Sequence, residues 1–251
     1  MKDGMEGVEA HRQMGVDDVL RARRSIRDFK NTPVPDALVD DILRAALHAP
    51  SWGNVQPYRV AVASGTLARE ISADLMAIYE RAMAFRRAGL LTRLRMLRGG
   101  IPKPDGDFNT IMRYPPELDA RYKATGKGLY ELLGIKRDDK ATRERQMGKN
   151  FAFFGAPTVL FVFCSADLGA YAALDTGAFI QSLALAAHTR GLGTCAQAAL
   201  ATWAGPVKTR FDIPSGYKLI CGVSLGYPSD DPVNTYAPTR RTLGELCIQP
   251  S

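Results

Sequence analysis

The run Pro157-Thr158-Val159-Leu160-Phe161-Val162-Phe163-Cys164 is apolar apart from one threonine. A strand with one wet face alternates apolar and polar residues, and this run does not. It reads as a fully buried central strand, with cover on both of its faces. Two further strands are predicted. Tyr58–Ala63 alternates and is rich in β-branched residues, and Tyr217–Leu225 ends in Gly226-Tyr227-Pro228.

The helices follow from apolar spacing. A short one carries Val16, Val19 and Leu20 on one face. A second, with Pro35 at its first position and Asp36 near its positive end, shows Leu38, Ile42, Leu43, Ala45 and Ala46 and stops before Pro50. After Ser64-Gly65 a long helix carries Leu67, Ile71, Leu75, Ile78, Ala82 and Phe85, with room to run on through Leu97. A polar helical stretch is expected over 129–150. Residues 170–190 form the most clearly buried helix, ending at Gly191. A short helix interrupted by Pro206 follows. Residues 99–128 are rich in Gly and Pro and read as a long lid-like loop, residues 1–15 as a loose arm, and 229–251 as an extended C-terminal segment, all within one domain spanning 1–251.

The chain carries 46% hydrophobic and 24% charged residues, as an ordinary globular protein does. It has no apolar run of about 20 residues, which a membrane helix needs, and no signal-peptide pattern. Four cysteines form no CxxC pair, and three scattered histidines suggest neither a zinc site nor imidazole catalysis. Together these predict a cytoplasmic protein with reduced thiols and no bound metal. The net charge of +7 favours an anionic partner. Arginines 81, 86, 87, 93, 95 and 98 could serve a nucleic acid, yet they read better as a solvated helix face, and no nucleic-acid recognition motif accompanies them.

Arg23-Arg24-Ser25-Ile26-Arg27 follows the first helix. Three guanidinium forks and a hydroxyl suit a phosphate. Ala49-Pro50-Ser51-Trp52-Gly53-Asn54-Val55-Gln56-Pro57 is a fixed loop. Gly191-Leu192-Gly193-Thr194-Cys195-Ala196 matches the dinucleotide fingerprint as a string, but it follows a helix rather than a strand, so that assignment fails.

These stretches also carry a family resemblance. Arg23–Phe29 resembles the opening motif of the flavin-dependent nitroreductases, and Ala49–Pro57 their second. Asp175-Thr176-Gly177 with Gln181 and Gly191–Ala199 resembles the third, and Thr239–Leu243 the fourth. The resemblance implies an α+β fold, with a mostly antiparallel central sheet flanked by helices. It also implies an intertwined homodimer whose C-terminal segment reaches the partner. It implies FMN, non-covalent and one per subunit. Arg23, Ser25 and Arg240 would hold its phosphate and ribityl end, with Arg24 close by, and Arg27 would sit at the pyrimidine edge. Pro50, Ser51, Trp52 and Asn54 would come from the other subunit. Asp175, Cys195, Ala196, Gln197 and Ala198 would belong to the cofactor site, the last three with Ala199 as a loop beside N5. Trp52, Phe108 and Tyr114 are substrate candidates. A cation near the ring stabilises the charge it gains on reduction. Where many relatives have Pro, an acid and Gly in the third motif, this chain has Ala196-Gln197-Ala198-Ala199.

The activity implied is NAD(P)H-dependent, ping-pong reduction of nitroaromatic or quinone-like acceptors, with the basic charge favouring NADPH. The same fold also hosts reductive dehalogenation, enoate-type reduction and flavin breakdown.

Overall fold

The computed structural model describes residues 15–110, 112–248 and 250, so all but Gly15 of the expected N-terminal arm lies outside the described residues. Four antiparallel strands, β1 (Tyr58–Ser64), β2 (Thr158–Ser165), β3 (Gly193–Gln197) and β4 (Tyr217–Gly226), form one sheet in the order β1-β2-β4-β3. The helices in chain order are α1 (Val16–Ala22), α2 (Asp36–Ala46), α3 (Gly65–Arg87), α4 (Leu90–Arg98), α5 (Pro116–Leu132), α6 (Lys140–Gly148), α7 (Gly169–His188), α8 (Gly205–Lys208) and α9 (Leu243–Leu246).

The apolar run became β2, an interior strand, and its side chains divide between two cores. Val159, Phe161 and Phe163 pack with Ile71, Leu75 and Tyr79 of α3. Leu160 and Val162 pack with Val39 and Ile42 of α2 and with Phe179 and Leu183 of α7. Successive residues of a strand face opposite ways, so a continuous apolar run is what a sheet covered on both faces requires. Burying one such side chain contributes roughly 1.5–3 kcal/mol.

Several boundaries differ from expectation. Pro35 caps α2 instead of opening it. The long helix breaks after Arg87, where Ala88 is extended and Gly89 starts α4. Arg93 seals the break, donating to the Phe85 and Arg86 carbonyls at 3.1 and 2.7 Å. The 99–128 segment is loop only as far as Pro115, because Pro116 opens α5. Gly126 and Gly128 lie inside that helix. A Cβ on Gly128 would stand 2.9 Å from the Tyr236 hydroxyl, so this glycine admits a close neighbour and marks no loop. Pro206 lies in the first turn of α8 and does not interrupt it. The C-terminal segment is not wholly extended, since it turns at Pro232–Thr235 and at α9.

Candidate active site

The basic segment is laid along a sheet edge. Arg23 leaves α1 in an extended conformation. Ser25 then bridges Thr194 of β3 in parallel, and Ile26 donates to the Thr194 carbonyl at 3.0 Å. Farther on, Phe29 bridges Pro228, and Lys30 donates to the Tyr227 carbonyl at 2.9 Å. Gly193 makes this approach possible: a Cβ there would lie 2.4 Å from Ile26 Cγ1. Ile26 is buried, while Arg23, Ser25 and Arg27 are partly exposed.

Asn234 fastens the C-terminal segment to the same place. Its Oδ1 accepts from the main-chain N–H groups of Arg27 (2.8 Å) and Asp28 (3.2 Å). Its Nδ2 donates to the carbonyls of Asp28 (2.8 Å) and Ser229 (3.1 Å).

The charges here are unbalanced. Burial, then the Arg240 and Arg24 cations, push the Arg23 guanidinium below its ordinary value. Arg24 donates to the carbonyls of Arg21 and Arg23, Arg27 to that of Ser25 at 3.2 Å, and Arg240 to that of Pro238 at 3.3 Å. Some arginines elsewhere find carboxylates, as Arg190 does Asp41 at 2.7 Å and Arg241 does Glu117 at 2.7 Å, while others, such as Arg81 and Arg93, bond only main-chain oxygens. Among the described residues none of Arg23, Arg24, Arg27 and Arg240 has such a partner. Three half-buried guanidinium groups, Arg23, Arg24 and Arg27, with no carboxylate in salt-bridge contact and the exposed Arg240 near Arg23, can receive an anion. Arg23 and Arg24 line a cavity of about 440 Å³ with Thr194, Asn234 and His188, whose rim also carries Asp230 and Asp231. Burial, then Arg23 and Arg24, lower the His188 imidazole below its usual range. Its buried Nε2 has no hydrogen-bond partner among the described residues.

Arg27 lines a second cavity, of about 170 Å³, with Tyr130, Gln146, Asn150, Phe154 and the β3 residues Cys195, Ala196 and Gln197. The expected loop at 196–199 is therefore the end of a strand followed by a 3₁₀ turn, Ala198–Ala201. Ala196 and Ala198 are exposed, while Cys195 is buried, and burial pushes its thiol up to about 11 against the pull of Arg27 and Arg23.

The sequence reading missed Tyr130, Gln146 and Asn150. Tyr130 comes from α5, Gln146 from α6 and Asn150 from just beyond it, ahead of Phe153 and Phe154, both left-handed at φ 53° and 54°. Bulky residues rarely adopt that conformation, and nothing in the residue types signals it.

The loop of the second motif stands apart from both cavities. It forms a 3₁₀ turn, Trp52–Asn54, with Gly53 and Asn54 left-handed at φ 55° and 57°. The Trp52 N–H donates to Asp175 Oδ2 at 3.1 Å, and its ring meets that of Tyr171 edge-on at 4.5 Å. Ser51 Oγ accepts from the Gln56 N–H at 3.0 Å. Buried Asp175 thus holds the loop, and within one chain Pro50, Ser51, Trp52, Asn54 and Asp175 line neither cavity.

The loop from 99 to 115 is anchored. Asp105 accepts from the N–H groups of Ala204 (2.7 Å) and Gly205 (3.0 Å). Asp107 pairs with Lys208 at 2.6 Å and accepts from the Leu219 N–H at 2.8 Å. Phe108 and Tyr114 project from this loop partly exposed, Tyr114 against Tyr122 at 5.3 Å.

Residues 20–227 match the model of the Nitroreductase family. The chain is 33% identical over 229 residues to a 4-nitrobenzoate reductase of Nocardioides sp. (strain LMS-CY), covering 90% of this chain and 86% of that one. A 4-nitrobenzoate reductase of Pseudomonas putida is 32% identical over 219 residues, 86% of each chain. Among solved structures, the FMN and NADPH-dependent nitroreductase NfnB from Sphigopyxis sp. strain HMH superposes with a TM-score of 0.79 at 30% identity, covering 95% of this chain and all of that one. The FMN-dependent NfnB from Mycobacterium smegmatis, solved with NADPH, gives 0.76 at 27% identity, covering 94% and 97%. The matched span holds three of the four motifs and the whole sheet, and the chain belongs to the nitroreductase family.

Proposed function

We propose that this chain is an FMN-dependent NAD(P)H oxidoreductase that reduces nitroaromatic compounds, nitrobenzoates among them, with NADPH as the favoured donor. The observation that carries it is the group Arg23, Arg24 and Arg27, unpaired with any described carboxylate and lining two cavities beside β3, with Arg240 near Arg23. The residues present fit FMN. Arg23, Ser25 and Arg240 supply donors for its dianionic phosphate, with Arg24 adjacent, and a planar ring would meet Arg27 and the main chain of Cys195–Ala198. When bound, the flavin supplies two-electron transfer from a nicotinamide donor to the acceptor. The chain binds and orients. Arg27 would place a positive charge beside the ring as it gains electrons. Solvent could supply the protons.

The second motif belongs to the same site in a homodimer. Trp52, Tyr171 and Leu174 are 66%, 53% and 65% exposed in the single chain, an apolar surface that a second copy would cover. That copy would bring Pro50, Ser51, Trp52 and Asn54 to the flavin.

The test is the visible spectrum of the purified protein under nitrogen. A flavin spectrum that bleaches with NADPH and returns on adding 4-nitrobenzoate is expected. A colourless protein that takes up no added FMN overturns the reading.

A further inference from the structure

Gln197, the last residue of β3, is 4% exposed, and its side chain is bonded at both ends. Its Oε1 accepts from Ser224 Oγ of β4 at 2.5 Å. Its Nε2 donates to the Asn150 main-chain oxygen at 2.9 Å and to Asn150 Oδ1 at 3.3 Å. The amide orientation is determined, since a hydroxyl faces its oxygen and two oxygens face its nitrogen. Ser224 is fully buried. The Arg27 cavity has two walls joined by these bonds: Cys195, Ala196 and Gln197 from β3, and Gln146, Met147 and Asn150 from the end of α6. Gln197 is the tie between them.

We propose that Gln197 is a positioning residue which sets the spacing of those two walls for the flavin, and that its position requires an amide rather than a carboxylate. The proposal rests on the FMN reading above. A carboxylate at 197 would set an acceptor against the Asn150 main-chain oxygen, which cannot turn away. Asn150 Oδ1 is not free to be exchanged for Nδ2 either, because Nδ2 already donates to the Met147 carbonyl at 3.0 Å. Only a protonated acid would restore a donor. The titratable groups around this tie are Arg27 and Tyr130, across the cavity, and Cys195 on β3.

The test compares full-length wild type, Gln197→Leu, Ser224→Ala and Gln197→Glu, with FMN affinity read by flavin fluorescence between pH 5.5 and 8.5. Gln197→Leu should weaken binding about tenfold and Ser224→Ala about threefold, the scale of a buried hydrogen bond lost, at every pH. Gln197→Glu should bind nearly as wild type at the acid end and lose affinity as pH rises. The other proteins should show no such slope. A purely structural role would lower stability without creating a pH profile specific to the acid. If Gln197→Leu does not fold, the slope of Gln197→Glu and the loss in Ser224→Ala decide. Wild type that binds FMN while all variants match it overturns the proposal alone. Wild type that binds no FMN overturns the flavin reading, and this proposal with it.

Discussion

Replacing Asn234 with alanine removes four hydrogen bonds, three that fasten the C-terminal segment to the Arg27 and Asp28 main chain and one to the Ser229 carbonyl within that segment. Two of them end on the main-chain N–H groups of Arg27 and Asp28, and two begin at the side-chain amide. Each is worth about 0.5–1.5 kcal/mol net. The site is half-buried, so water reaches some of the freed groups, and the lower part of the range applies: about 2–3 kcal/mol in all. For a chain of this length that lowers Tm by about 4–12 °C. The consequence for function is larger than the consequence for the fold. The Arg27 backbone loses its fixed point, and FMN affinity should fall about tenfold. Thermal melts and FMN titration measure the two effects separately. Asn234→Asp divides them further, because it keeps the acceptor for Arg27 and Asp28 but sets oxygen against the Asp28 and Ser229 carbonyls. It should lose stability while keeping most of the FMN affinity. A variant Asn234→Ala that melts lower yet binds FMN as tightly as wild type would refute the idea that this fastening serves the site.

Arg27→Ala should fold normally, bind FMN more weakly and turn over at least tenfold more slowly; unchanged kinetics at full flavin occupancy would remove its role. Burial raises the thiols of Cys195 and Cys221 to about 11 and about 12, and Cys164 upward too. Of the cysteines only Cys247 is exposed, so a thiol reagent at pH 8 should label one cysteine quickly and the others only on unfolding. His188 is held below its ordinary value in the native state, so the unfolded chain binds its proton first as pH falls. Stability should therefore drop from about pH 6.5 downward, and Tm measured against pH should fall less steeply in His188→Gln than in wild type. Light scattering on the flavin-loaded protein should report a dimer, and an active, flavin-loaded monomer would refute the two-chain site.

The parts of the fold legible in sequence were those set by local chemistry. The β2 run gave both its strand and the need for two covering layers, whereas the close approach of Gly193 to Ile26 is known only from the structure. The Arg27 cavity was half legible. Its β3 wall lies in a motif, but the α6 wall lies outside the motifs, ahead of the left-handed turn at Phe153 and Phe154, which residue type argues against. The loop before α5 was misjudged for a related reason. Gly126 and Gly128 suggest irregular chain, yet the fit of Tyr236 against Gly128 is a tertiary fact. Likewise Asp105 and Asp107 look like solvated carboxylates in sequence, and only the folded chain brings the Ala204, Gly205 and Leu219 N–H groups to them.

Helix α7 carries an exposed apolar surface beside the second-motif loop. Its small and apolar composition predicts a helix buried all round, and Phe179, Leu183 and Ala187 are indeed buried. Its first turns behave otherwise, with Tyr171 and Leu174 more than half exposed. On that same bare surface the loop is held in place by Asp175 through the Trp52 N–H, so Trp52 presents its ring outward instead of into its own chain. The carboxylate fixes the Trp52 main chain, and the ring, edge-on to Tyr171, stays mostly exposed. The arginines beside β3 are charges with no described carboxylate to complete them. Pairing two copies so that α7 covers α7 would bury the apolar turns and carry each loop to the other copy's arginine edge. One act of assembly then accounts for both the exposed hydrophobic surface and the half-built anion site.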